Sequence, residues 1–263
     1  MAIENCVRLG VVAFLVAGLA ACAAGPSEEE LRKQELDQQL TTIQEEYATL
    51  QQEREEVASL QAEIAELEAI PENTRSEEQV ARLGEARARL EELRPTLEKQ
   101  YDQLQGDLAN YLNVALNEFP QSEETQEALR IYSEEAILWA DDAVEEAGDY
   151  KKAINHLQSA RSYFEMVDLP VYPALEEKIV ELKDWQYVTR ERFDQVKKGM
   201  TKDEVKEIMG VPYVGNIKIE EDRGVEMWLY RKAESGAAGI YFKTNNDKVY
   251  ATNWEAVKTR VVE

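Results

Sequence analysis

Large apolar residues recur at spacings of three and four along the first half of the chain: Leu36, Leu40, Ile43, Tyr47, Leu50, then Val57, Leu60, Ile64 and Leu67. This is the period of one helical stripe, narrow enough to be a coiled-coil seam, with an interruption at Arg54 and a register shift near Val57. The pattern stops over Ala69–Arg75, where Pro71 and Asn73 signal a turn. It resumes through Val80, Leu83, Leu90, Leu97, Tyr101, Leu104, Leu108 and Leu112. Ser27 with Glu30, and Ser76 with Gln79, have the spacing of capping boxes and set the two starts. Pro95 is expected to kink or break the second run, because proline lacks a backbone donor and crowds the preceding turn. The prediction is an antiparallel helical hairpin over residues 28–119, with helices about 63 Å long at about 1.5 Å per residue. The narrow seam suits one partner helix, either the chain's own or that of a second copy.

Residues 120–185 are richer in aromatics and alanine. Pro120-Gln121-Ser122 marks a break, with Ser122 as N-cap. Gly148-Asp149-Tyr150, followed by Ala153, Leu157 and Ala160, resembles the second half of a tetratricopeptide repeat. Such repeats need about three units to bury a continuous core, and only one is visible. A plain helical bundle with a similar turn fits equally well.

Residues 186–263 read as helix, helix, then strands. Phe193 and Val196 lead to Gly199-Met200, with Gly199 expected as a left-handed C-terminal cap. Thr201 and Glu204 form a capping box for a short helix with Val205, Ile208 and Met209 on its apolar face. Gly210 ends that helix and Pro212 prevents its resumption. Three strands are expected, Val225–Tyr230, Gly239–Lys243 and Val249–Trp254. The fold class is α+β and mostly α: a long helical hairpin, a tetratricopeptide-like middle and a small ααβββ tail.

Charge separates these parts. The 263 residues carry 30 Lys+Arg and 53 Asp+Glu, a net charge of -23. Residues 28–119 hold 9 cations and 23 anions, residues 120–185 hold 6 and 16, and residues 186–263 hold 14 and 13. The whole negative excess therefore lies in the helical part. A surface this acidic repels a polyanion, which excludes nucleic acid as the main partner. One histidine and two cysteines remove most metal-site and thiol–imidazole chemistries. His156 reads as a packing or surface residue. Asp141, Asp142, Glu145 and Glu146 lack the glycine turn and alternating oxygens of a calcium loop, so they read as a solvated face. Paired carboxylates are plentiful but sit at helical spacing, with no nucleophile motif beside them. Neither an enzyme such as a peptidoglycan hydrolase nor any cofactor is indicated.

Leu9–Ala21 is an unbroken run of apolar and small residues, too short to span a bilayer comfortably but suited to the core of a secretory signal. Leu19-Ala20-Ala21-Cys22 follows, and resembles the lipobox of bacterial lipoproteins. The resemblance implies a signal peptide over 1–21, cleavage before Cys22, a lipidated cysteine on a tether over 22–27, and loss of Cys6. Ala23, where an aspartate would imply inner-membrane retention, implies anchoring at the outer membrane with the chain facing the periplasm.

In the tail, Phe193, Val196, Gly199, Met200, Thr201, Val205, Gly210 and Pro212, then Trp228, Tyr230 and Phe242, carry a second resemblance. The tail is similar to the SmpA/OmlA (BamE-like) domain family, over about 70 of the 263 residues. The small family members are little more than this domain on a lipid tether, whereas acidic helices intervene here. The matched positions form caps, a turn and a core, so no partner-contacting residue is implied. The resemblances imply a non-enzymatic accessory or scaffold lipoprotein, with the outer-membrane β-barrel assembly machinery as the expected partner. The alternative is a general envelope spacer or adaptor that binds a protein through its acidic helices.

Overall fold

The computed structural model describes residues 27–257. The secretory run, the lipobox and Cys22 lie outside them. Two helices of 42 residues each, α1 (Glu28–Ala69) and α2 (Glu77–Glu118), form the hairpin, joined by a short 3₁₀ turn over Glu72–Thr74. Both capping boxes are present: Ser27 with Glu30 and Ser76 with Gln79 exchange backbone-to-side-chain hydrogen bonds. Polar contacts pair Arg32 with Glu118, Glu53 with Gln100 and Glu68 with Arg87, so numbers rise along one helix as they fall along the other. The helices are antiparallel.

The seam closes on itself. Leu36, Leu40, Ile43, Leu50 and Leu67 of α1 are buried, as are Leu83, Ala86, Leu90, Leu93, Leu104, Leu108 and Leu112 of α2. Charge fixes the pairing toward the turn. In that part α1 is all acidic, whereas α2 carries Arg82, Arg87 and Arg89, which meet Glu63, Glu68 and Glu56. Two positions depart here from the simplest reading of the pattern. Val80 stays 55% exposed, because it lies at the hairpin tip, where the partner helix has ended. Pro95 does not break α2, which runs through it without interruption. Tertiary packing on both sides of the proline outweighs the lost donor.

Three helices build on the open end of the hairpin: α3 (Glu123–Ala147), α4 (Tyr150–Met166) and α5 (Pro173–Trp185). Hydrogen bonds from Gln44, Tyr47 and Arg54 of α1 reach Glu127, Glu134 and Glu135 of α3, so α3 runs parallel to α1. The turn after α3 works as its sequence suggests. Gly148 takes a left-handed cap with φ 62°, and the Asp149 carboxylate accepts from the Lys152 amide to start α4. Ala153, Leu157 and Ala160 are buried against α3 and α5. One apolar cluster spans all five helices from Leu36 to Leu182. Toward the tip, Leu67, Leu83, Leu90 and Leu93 are buried in the hairpin but belong to no part of this cluster.

The tail contains α6 (Arg190–Gln195), α7 (Lys202–Met209) and an antiparallel sheet in the order β1 (Ile217–Glu220), β2 (Val225–Arg231), β3 (Ala237–Lys243) and β4 (Lys248–Val257). The expected ααβββ tail is therefore ααββββ. The extra strand is short and its residues are mostly exposed, so burial leaves little imprint on its sequence. A second correction concerns Gly199. Helix α6 ends at Gln195 with Val196 extended, and Gly199 does not cap it. With φ 95°, Gly199 instead turns the next loop so that its amide donates to Val249 O at 2.8 Å. The tail has its own core, from Val188 to Val249, which shares no residue with that of the helices.

Candidate functional site at the junction of body and tail

The motif residues of the tail divide into two groups by position. Phe193, Val196, Val205, Trp228, Tyr230 and Phe242 are all buried in the tail core. The Trp228 and Phe242 rings lie 4.5 Å apart, and Phe193 stacks edge-on against Trp254 at 5.2 Å. Gly199 and Met200 clamp the start of β4, where Met200 O accepts from Val249 N at 2.9 Å. Thr201 completes the capping box of α7 with Glu204. These side chains serve the fold, and of them only Tyr230 also lines the cleft described below. No structural placement exists for Cys22, which precedes the described residues.

Gly210 and Pro212 belong to a different arrangement, one that sequence reasoning does not reveal. Helix α7 ends at Gly210 with φ 80°, and the chain turns there against the α3–α4 corner of the helical body. Tyr150, the first residue of α4, accepts a hydrogen bond at its hydroxyl from Val211 N at 3.0 Å. Across the tail core, the Tyr230 hydroxyl donates to Gly210 O at 3.2 Å. A side chain on Gly210 would strike the Tyr150 hydroxyl, and one on Gly148 would strike the Pro212 carbonyl. Only glycine permits this approach at both positions. Trp185, at the end of α5, packs beside Gly210 and is covered by the Arg192 guanidinium, whose carbon lies 4.4 Å from the ring centroid. Arg192 also bonds Asp184, tying α6 to α5.

A cleft of about 280 Å³ lies within this junction. Asp149, Lys151, Gln186, Asn216 and Arg231 supply its polar edge, and Tyr150, Tyr213 and Tyr230 its rings. Burial raises the pKa of the Tyr150 hydroxyl, and the Val211 hydrogen bond offsets this in part. Tyr230 is pushed up further, by burial and then by Tyr150. Both hydroxyls are therefore neutral at ordinary pH and act as hydrogen-bonding posts. Among the described residues, no group of three or more His, Cys, Asp or Glu side chains is arranged to hold a metal ion. Also among them, no helix is long and apolar enough to cross a membrane.

The clue to the junction that sequence did offer was its glycines. Gly148 and Gly210 both end helices, and each reads as a local cap. Their mutual approach depends on tertiary geometry that no local pattern encodes. His156 lies on the body, half-buried, with its ring 4.3 Å from that of Trp139. No family model matches the chain, and no curated protein or solved structure matches it either.

Proposed function

We propose that this chain is a non-enzymatic scaffold lipoprotein. In this reading it is held through Cys22 on the periplasmic face of a bacterial outer membrane and presents its small tail on a long acidic body. The observation that carries the proposal is the junction. Two glycines, a tyrosine hydroxyl and an arginine–tryptophan stack hold the tail in one orientation on the body. A tail acting only as a compact end module would have no need of such a fixed seat. The motif residues are occupied by core packing and caps, which supports a binding role for the tail surface rather than a chemical one. The similarity of these residues to the SmpA/OmlA (BamE-like) family makes the β-barrel assembly machinery the proposed partner.

A second reading, spacer or adaptor, is favoured by one observation. Toward the tip the buried seam residues of the hairpin, Leu67, Leu83, Leu90 and Leu93, lie outside the apolar cluster shared with α3, α4 and α5. An arm packed outside the shared core suits a helix-in-groove or bundle contact with another protein.

One experiment separates the readings. The protein is tagged at Glu263 and cross-linked in cells, and co-purifying proteins are identified by mass spectrometry. A Cys22→Ala strain is the control. Recovery of the β-barrel assembly machinery, lost on deletion of residues 186–263, supports the scaffold reading. Recovery of other envelope proteins, lost on deletion of residues 55–98 but not of the tail, replaces it with the adaptor.

A further inference from the structure

The junction cleft gathers polar side chains that the fold itself leaves unused. Lys151, in the first turn of α4, Gln186, just after α5, Asn216, just before β1, and Arg231, the last residue of β2, all line it. Among the described residues, none of these four side chains has a hydrogen bond or an ion pair. Arg231 has only the Tyr187 ring, 5.9 Å from its guanidinium carbon. Every other described arginine is held by a carboxylate or, for Arg75, by carbonyl oxygens. That Arg231 is left over is notable in a chain with 53 Asp+Glu for 30 Lys+Arg. Gln186 and Asn216 are half-buried, where an unmet carboxamide costs more than on an open surface.

Charge and size narrow what could meet these groups. The one acid in the lining, Asp149, is engaged by the Lys152 amide at 3.0 Å as the cap of α4. The cleft therefore carries two cations against one anion, inside a chain of net charge -23. Arg192, stacked on Trp185, adds to this: at the Tyr150 hydroxyl its charge outweighs that of Glu181. The rest of the lining is apolar or aromatic. Val188, Met209 and Leu229 are buried in it, and the Tyr213 ring, beside Gly215, stays 44% exposed. At about 280 Å³ the cleft is near the small end of ligand sites, which start at about 300 Å³. It has room for one amino-acid residue and too little for a nucleotide.

A guanidinium beside an ammonium recognises a carboxylate. A carboxamide both donates and accepts, so two of them match a peptide amide. A carboxylate, an amide and an apolar side chain within the span of one residue make up the end of a peptide chain. We propose that the cleft binds the C-terminal residue of a peptide, with Arg231 and Lys151 on its carboxylate, Gln186 and Asn216 on the preceding amide, and its apolar side chain against the rings. The body supplies Lys151, the connection Gln186, and the tail Asn216 and Arg231, so the site exists only while the junction is closed. It rests on neither the lipid anchor nor the partner proposed above.

The test uses the protein from Ala23 to Glu263, which retains every described residue. N-acetyl-L-phenylalanine, its neutral carboxamide and hydrocinnamate are each titrated into it, and binding is followed by amide NMR shifts. The acetylated residue should bind with a Kd on the order of 1 mM and move the signals of residues 148–151 and 211–216. Its carboxamide should bind roughly tenfold more weakly. Hydrocinnamate, which keeps ring and carboxylate but has no amide, should fall between them. Hydrocinnamate binding as tightly as the acetylated residue would assign the cleft to small acids and overturn the proposal. Arg231→Gln and Lys151→Gln should each weaken binding roughly tenfold. Both should keep the melting temperature within about 2 °C, because neither side chain holds a partner in the fold. The proposal is overturned by equal affinity for acid and carboxamide, by variants that bind as wild type does, or by no shift at the cleft up to about 20 mM. Inorganic phosphate that displaces the acid at equal concentration also overturns it, since the cleft would then be a general anion site.

Discussion

Arg54 meets Glu135 with a two-pronged contact, at 2.6 and 2.8 Å. The carboxylate is almost wholly buried, at 1% exposure, while the guanidinium keeps 28%. A buried ion pair contributes little net stability against an apolar pair of the same size, yet leaving one member alone is expensive. Arg54→Met should therefore lower unfolding free energy by about 3 kcal/mol, and Arg54→Met with Glu135→Leu should recover most of that loss. Urea denaturation of the four members of the cycle measures it, and strict additivity of the two single losses would refute it. His156 gives a second residue-scale test, because the chain has one histidine. Burial, and then Lys152, hold its pKa below the ordinary 6.5. The folded state therefore binds fewer protons than the unfolded state just below that value. The stability from a neutral His156 is complete above pH 6.5 and declines as pH falls toward the folded pKa. His156→Gln should flatten the profile just below pH 6.5, where the neutral and charged forms of the unfolded histidine exchange. An unchanged slope in the variant, followed by chemical denaturation at each pH, would assign it to other groups.

At the scale of elements, Pro95 poses the sharpest question. It sits inside a continuous α2, and the hairpin leaves a cleft of about 610 Å³ beside it, edged by Thr42, Glu46 and Thr49 on α1 and by Gln100 and Gln103 on α2. Pro95→Ala restores a donor for the Glu91 carbonyl and should raise stability by about 1–3 kcal/mol in a urea titration. A loss instead would show that the helix path set by the proline is needed to seat Leu104 and Leu108 in the five-helix core. Much of the element plan was legible in the sequence because its signals are local. Ser27, Ser76, Ser122 and Thr201 start helices where their hydroxyls meet the amide three residues on, and Gly148 and Gly210 end them. What escaped depends on distant residues. β1 exists because Ile217–Glu220 finds β2 across a short turn, and its mostly exposed residues show no burial period. Helix α6 stops at Gln195 because the loop that follows is drawn to β4 through Gly199 and Met200. The bond from Val211 to Tyr150 joins residues 61 apart in the chain, and no spacing rule could have placed it.

Over the whole molecule, two cores and an uneven charge distribution meet at one small junction. The helical cluster runs from Leu36 to Leu182 and the tail cluster from Val188 to Val249. Residues 28–185 carry 15 Lys+Arg against 39 Asp+Glu, whereas residues 186–263 carry 14 against 13. The body therefore repels itself when folded, and added salt relieves that repulsion, while the nearly neutral tail has little to relieve. Scanning calorimetry should resolve two transitions in about 50 mM salt, and at about 500 mM the one belonging to the body should move up by several degrees while the tail's stays put. Gly148→Val, which strikes the Pro212 carbonyl and forces a β-branched residue into a left-handed conformation, assigns the transitions. It should lower the body transition and loosen the seat of the tail, leaving the tail core to melt at its own temperature. If wild-type protein instead melts in one step that salt shifts as a whole, the junction couples the cores more tightly than its few contacts suggest. The tail would then report the state of the acidic body to whatever it binds.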